Sequence, residues 1–237
     1  LSFTPLLRRI REDKTNYRKR KGLLIGKQTF VAVRLSNENV LVQISKAGRT
    51  GDNVLVSAHS RELAKRGWKG SGKNMPACYL TGLLAGAKAV GKGVSGGILY
   101  TGNRMFTPRI AAATKGLIDG GVKLAVDEEI LPSEERINGK HIADYANMLK
   151  GDKGAYSARF PGLTKKGFAP ENYPQHFEEV KASILDKGGK VEPRKKVEKT
   201  GEKEAKVKPE VKKEAKKEKK ETKGERKKPL KKEGKKR

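Results

Sequence analysis

Three short segments near the front of the chain alternate apolar and polar residues, with only turn chemistry between them. "FVAVRLS" (Phe30–Ser36), "VLVQIS" (Val40–Ser45) and "VLVSAH" (Val54–His59) share a period of two. That period puts every second side chain on one face of a half-buried strand. "NENV" (Asn37–Val40) and "AGRTGDN" (Ala47–Asn53) are turn-forming joints. Strands joined this tightly pair as hairpins, so the sequence predicts an antiparallel meander. One face of such a sheet must be covered. The best cover is "NMPACYLTGLLAGAKAVG" (Asn74–Gly91), the longest apolar helical stretch. Asn74 is placed to cap it, with Pro76 in its first turn. Its small residues (Ala77, Gly82, Ala85, Gly86, Ala89) suit close packing on a sheet.

The remaining elements complete a mixed sheet. "SRELAKRG" (Ser60–Gly67) is a short helix with Ser60 as its expected cap and Gly67 as its stop. "GGILYTG" (Gly96–Gly102) predicts a fourth strand and "VKLAV" (Val122–Val126) a short fifth. Between them, "TPRIAAATKGLIDGG" (Thr107–Gly121) predicts a helix with Thr107 as cap and Pro108 at its first position. Strand, helix, strand is a βαβ unit. "SEERINGKHIADYANMLK" (Ser133–Lys150) is a further helix, interrupted or entered at Asn138–Gly139, and "QHFEEVKASIL" (Gln175–Leu185) is the last. The expected fold class is α/β: a meander plus βαβ sheet packed with helices. The expected layout is a basic arm over 1–21, an α/β body over 22–150, a helical extension over 151–186 and a low-complexity basic tail over 187–237.

Charge narrows the partner class. The chain of 237 residues carries 55 Lys+Arg against 27 Asp+Glu, a net +28. Such an excess favours polyanions, with nucleic acid first and an anionic membrane surface second. The excess is concentrated at the two ends. Residues 1–21 carry +6, residues 22–186 carry +8 and residues 187–237 carry +14. The last segment mixes lysine with glutamate, has no aromatic residue and has few large aliphatics. It cannot bury enough apolar surface to offset its ordering entropy, so disorder is expected there. A solvating extension and an unspecific electrostatic grip on RNA both remain open for it. No apolar run reaches the ~18 residues of a membrane span, so no transmembrane helix is expected. With nucleic acid as the first partner class, no membrane partner is expected. At the N-terminus, "LSFTPLLRRIR" has its apolar residues before its charges, the reverse of a signal peptide. The single cysteine, Cys78, rules out an intrachain disulfide or a cysteine metal cluster and fits a reducing compartment.

Two glycine patterns imitate nucleotide-binding motifs. "GWKGSGKN" (Gly67–Asn74) nearly matches a phosphate loop, but Asn74 stands where Mg²⁺ requires a hydroxyl, and a helix precedes it instead of a strand. A nucleotide-binding enzyme using Gly67–Lys73 is the rival reading. "GKGVSG" (Gly91–Gly96) has the dinucleotide spacing in reversed context, leaving a helix and entering a strand. The histidines His59, His141 and His176 lack metal spacing. His59 reads as a strand-end polar residue and Cys78 as a small core residue. Asp127, Glu128, Glu129, Glu134 and Glu135 read as a solvated loop beside a helix N-terminus, where acids are favoured. No catalytic residue, metal or cofactor is expected.

The basic segments carry more functional information. Arg8, Arg9, Arg11, Lys14, Arg18, Lys19, Arg20 and Lys21 can neutralise many phosphates, and Tyr17 can stack on a base or sugar. "KRGWKGSGKN" surrounds the only tryptophan, Trp68, with Lys65, Arg66, Lys69 and Lys73, and ends at Asn74. Trp68 is either a stacking platform or a lid over the core. "TGNRMFTPR" (Thr101–Arg109) sets Arg104 and Arg109 at a strand end and a helix start, where free amides attract phosphate.

An ordered set of segments then resembles one known family. "TNYRKR", "VSAHSREL", "GWKG", "NMPACYLTGLLAG", "LPSEERINGKHIADY" and "PENYPQHFEEVKASIL" occur in this order between about Arg8 and about Leu185. They resemble the archaeal and eukaryotic large-subunit ribosomal protein that binds 5S rRNA, in the family that includes the bacterial eighteenth large-subunit protein. The resemblance implies a non-enzymatic role in the central protuberance of the cytoplasmic ribosome. It also implies three kinds of partner: 5S rRNA, the 23S-type rRNA and neighbouring large-subunit proteins. By the same likeness, Arg8–Lys21, Lys65–Asn74 and Arg104–Arg109 face RNA. The tail after Asp186 lies outside the shared pattern.

Overall fold

The computed structural model describes residues 5–48 and 51–186. Five strands form one sheet: β1 (Thr29–Leu35), β2 (Val40–Lys46), β3 (Asn53–His59), β4 (Gly96–Leu99) and β5 (Lys123–Leu124). Their order across the sheet is β3-β2-β1-β4-β5. The β1–β2 and β2–β3 pairs are antiparallel, in register Val31↔Ile44 and Val42↔Ala58, with an irregularity between Ile44 and Ser45. β4 joins β1 in parallel, and β5 joins β4 in parallel. The meander and the βαβ unit therefore meet at β1. The expected fourth and fifth strands are trimmed, because pairing stops at Leu99 and Leu124.

The period-two pattern explains the two faces. Val31, Val33, Val42, Ile44, Val56 and Ala58 are buried together in the main core. α4 (Met75–Val90) lies over them. Asn74 caps α4 through Oδ1, which accepts from Ala77 N at 3.1 Å, and Pro76 sits in the first turn. α5 (Pro108–Asp119) packs along α4. The two helices approach so closely that a Cβ on Gly116 would lie 2.1 Å from the Tyr79 carbonyl oxygen. Thr107 precedes α5 as expected but makes no side-chain cap, and its Oγ1 is buried without a partner among the described residues.

Short helices fill the margins. α3 (Arg61–Ala64) follows β3. Ser60 does not cap it: its Oγ accepts from Val40 N at 3.1 Å and donates to Asn39 Oδ1 at 3.1 Å. Ser60 therefore closes the end of the β1–β2 hairpin. α6 (Glu134–Asn138) and α7 (Lys140–Leu149) are separated at Gly139, which has φ 82°, as the sequence anticipated. α8 (Lys153–Arg159) and α9 (Pro161–Thr164) lead to α10 (Tyr173–Asp186). Tyr173, Phe177, Val180 and Ile184 place α10 in the main core.

The opposite face of the sheet holds a second, smaller core. Leu23 packs there with Phe30 and Ala32, bordered by Ala47 and Tyr100. Leu23 comes from a helix within the basic N-terminal segment. That segment contains α1 (Arg8–Arg11) and α2 (Tyr17–Gly26). Gly22 and Gly26 both lie inside α2. The helix ends at Lys27, in the left-handed region at φ 50°. The Lys/Glu-rich tail, expected to be disordered, lies outside the described residues.

Candidate nucleic-acid interface

The cations of the N-terminal segment divide by what they touch. Asn16 caps α2, its Oδ1 accepting from Lys19 N at 3.0 Å. Helical spacing then turns Arg18 and Lys21 outward, both exposed, beside a Tyr17 that is 37% exposed. Arg20 is different. Its guanidinium grips Asp52 with two hydrogen bonds, at 2.6 and 2.8 Å, and its side chain is only 23% exposed. The Asp52 carboxylate raises the Arg20 pKa above its ordinary value. Arg20 therefore ties α2 to the start of β3. In and after α1, Arg8 and Lys14 share Glu12, at 2.7 and 2.6 Å, which holds that carboxyl below its usual range. Arg9 Nε donates to Thr15 Oγ1 at 2.8 Å. Arg9, Arg11, Arg18, Lys19 and Lys21 have no acidic partner among the described residues.

The Gly-Trp loop has the same composition and the opposite geometry. Trp68 is 5% exposed. Its ring stacks on His176 at 5.2 Å and meets Tyr173 edge-on at 5.4 Å, and Nε1 donates to the Ser71 carbonyl at 3.2 Å. Of the two roles open from sequence, Trp68 takes the lid, and no face is left for a base. Asn74 is likewise committed, with Oδ1 capping α4 and Nδ2 donating to the Tyr173 hydroxyl. Burial pushes that hydroxyl up to about 12. Gly70 is required here, since a Cβ would fall 2.2 Å from the same hydroxyl oxygen. Arg66 donates to the Ser183 carbonyl at 3.1 Å and so pins the loop to α10. Lys65, Lys69 and Lys73 remain exposed.

Three segments far apart in sequence meet around one strand end. Lys19 Nζ donates to the Gly102 carbonyl at 3.2 Å, and Asn103 Nδ2 donates to the Asp13 carbonyl at 3.1 Å. Arg104 Nη1 donates to the Leu35 carbonyl at 2.6 Å, at the end of β1. Gly72 packs under the adjoining turn, its Cβ position 2.9 Å from the Glu38 carbonyl oxygen. The N-terminal helix, the Arg104 loop and the Gly-Trp loop thus form a chain of contacts around the β1–β2 turn. Arg109 is exposed in the first turn of α5.

Sequence reasoning missed the residues that extend this surface. Lys166 Nζ donates to the Lys69 carbonyl at 3.0 Å. A cleft of about 490 Å³ opens there, lined by Lys69, Arg159, Phe160, Leu163 and Lys166. The only sequence signal was the Lys165-Lys166 pair, and nothing local ties it to a loop about a hundred residues earlier. Asn103 and Asp13, which dock the N-terminal segment, carried no signal either.

Nucleotide-enzyme chemistry finds no support in the loop. Gly67–Lys73 follows helix α3, and its first three amides are already used. Gly67, Trp68 and Lys69 N–H groups donate to Ala64 O, Leu63 O and His176 Nε2. A phosphate cradle needs such amides free. "GKGVSG" leaves α4 and enters β4, the reverse of a dinucleotide site. His59 Nδ1 accepts from Arg61 N at 3.1 Å, a local turn contact at the strand end. Cys78 is fully buried, and burial pushes its thiol up to about 12, which makes it an inert core residue.

The α/β body with its exposed cations has the character of a polyanion-binding scaffold. Comparison with known proteins gives the class its name. The family described as "Ribosomal large subunit proteins 60S L5, and 50S L18" matches residues 2–107. Large ribosomal subunit protein uL18 of Thermofilum pendens is 44% identical over 181 residues, covering 75% of this chain and 92% of that protein. The uL18 protein of Methanococcus maripaludis is 45% identical over 186 residues, covering 78% and 96% respectively. The chain is a structural, non-enzymatic protein of the large ribosomal subunit. It belongs to the uL18 family, of the archaeal and eukaryotic type.

Proposed function

We propose that this chain binds 5S rRNA and helps attach it to the 23S-type rRNA in the central protuberance. The carrying observation is the exposed row Arg18, Lys19 and Lys21 on a helix fixed to the sheet through Asp52 and Gly102. A charge held in place confronts a phosphate without first losing the entropy of a free tail. Arg9 and Arg11 extend the row, and Tyr17 offers a ring to a base or sugar. Lys65, Lys69, Lys73, Arg104 and Arg109 form the second part of the surface. Arg8, Lys14, Arg20 and Arg66 position their segments and add to the field. Residues 1–21 serve as the principal RNA-gripping segment on the body of 22–150, with 151–186 buttressing the Gly-Trp loop.

The test is binding to 5S rRNA across a salt series. Neutralising several phosphates makes log K fall steeply with log salt. Replacing Arg18, Lys19 and Lys21 with Ala should weaken binding by far more than removing residues 190–237. Equal effects would mean that the charge acts only in bulk. Affinity indifferent to salt, or equal for any duplex RNA of the same length, would overturn the proposal.

A further inference from the structure

One region opposes the rest of the molecule electrostatically. Residues 127–135, "DEEILPSEE", hold five carboxylates and no cation, in a chain of net charge +28. Asp127, Glu128, Glu129 and Glu134 are exposed and have no cationic partner among the described residues. Glu135 alone is paired, with Lys140 at 2.9 Å. The same segment forms one wall of an apolar groove of about 400 Å³. Ile130 and Pro132 from this segment line the groove together with Met75, Phe106 and Pro108. Ile130 is 53% exposed, Phe106 38% and the neighbouring Met105 84%. Arg136 is the one charged side chain lining the groove.

We propose that this groove is a docking site for a second ribosomal protein, through a segment that carries aliphatic or aromatic anchors flanked by Lys or Arg. The apolar walls call for apolar anchors, since exposed patches of this kind mark contact surfaces. The carboxylates decide what surrounds those anchors. They repel phosphate, so rRNA is the partner that this edge disfavours most. A basic protein segment satisfies both features. The chain's own residues 187–237 meet the apolar requirement poorly. They are cationic, hold no aromatic side chain, and carry only scattered aliphatics (Val191, Val197, Val207, Val211 and Leu230) that cannot fill a groove walled by Phe106, Met75 and Ile130 together. The proposal rests on membership in the large subunit and is independent of 5S rRNA binding.

The test uses whole large subunits from cells in which this chain is the sole copy. A photo-crosslinking benzoylphenylalanine replaces Ile130, and the linked product is identified by mass spectrometry. The expected product joins Ile130's position to a Lys- or Arg-bearing stretch of another ribosomal protein. A crosslink to rRNA, to residues 187–237 or to a second copy would overturn the proposal, as would none in subunits that contain the probe. The second arm adds Glu128→Lys, Glu129→Lys and Glu134→Lys, three exposed positions that leave the core intact. Like charges set face to face should cut the crosslink yield by about tenfold or more. The free protein's affinity for 5S rRNA should stay the same or rise. An unchanged yield would overturn the proposal; a failure of 5S binding in the unaltered chain would count only against the RNA reading.

Discussion

The N-terminal helix and the Gly-Trp loop look alike in sequence, each a row of cations beside a single aromatic. In α2 the aromatic, Tyr17, shares the exposed side with Arg18 and Lys21, and one leucine faces inward. In the loop, Trp68 turns inward and only the lysines remain outside. The difference follows from what lies beneath. The loop covers the main core, where Tyr173 and His176 of α10 form a socket for the indole. Beneath α2 lies only the small cluster of Phe30 and Ala32. An aromatic among cations therefore does not identify a stacking platform; the depth of the core behind it decides.

The largest expected effect is on stability, and it lies in the loop. Trp68→Ala should cost about 3–5 kcal/mol, the usual range for a buried large aromatic. Tyr17→Ala should stay within about 0.5 kcal/mol. Chemical denaturation of the two variants checks this, and similar losses would erase the distinction. The next effect is on RNA. The triple change of Arg18, Lys19 and Lys21 to Ala should weaken 5S rRNA binding about a hundredfold and lower the salt slope by about 2–3. The matching change of Lys65, Lys69 and Lys73 should weaken it about tenfold. A reversed order would make the loop, not the helix, the main grip.

Alkaline pH separates the regions again. Burial raises the Tyr173 and Cys78 groups to about 12, and it raises Tyr79 further with help from Asp119 at 2.7 Å. A group whose folded pKa is raised supports the fold fully below its unfolded value. That support is lost as pH rises through the folded value. Thermal stability should therefore fall steadily above about pH 9–10. Tyr173→Phe should flatten part of that fall. A profile identical to that of the unaltered protein would show that the socket's hydroxyl has no part in it.

The sheet was legible in the sequence because its pattern is local. Phe30–Ser36 and its two neighbours alternate cleanly, and Asn74 with Pro76 announces α4. α2 was not legible as a helix. "YRKRKGLLIG" has two glycines and buries only Leu23. Its support comes from Asp52 and Gly102, which sequence cannot bring near. The inward turn of Trp68 depends on partners more than a hundred residues away. What stayed hidden in each case was a long-range contact that fixes the direction of a side chain. The acidic 127–135 segment was visible, but its apolar counterpart, Phe106 and Met75, was not.

The smallest effect probes the joint between α2 and the sheet. Arg20 and Asp52 form a partly exposed pair with two hydrogen bonds, so breaking it from either side should cost only about 1 kcal/mol. If Arg20 acts as an anchor, Arg20→Ala and Asp52→Asn both loosen α2 and both weaken 5S rRNA binding, by about threefold. If Arg20 instead grips phosphate, the two changes diverge. Asp52→Asn would free the guanidinium and strengthen binding, while Arg20→Ala would weaken it by tenfold or more. Titration of both variants at one fixed salt concentration separates the cases. The bidentate geometry favours the anchor, because an arginine already matched to a carboxylate must surrender two charge-assisted hydrogen bonds before it can meet RNA. Arg18 and Lys21 face no such exchange, so the neighbours of the anchored arginine do the binding.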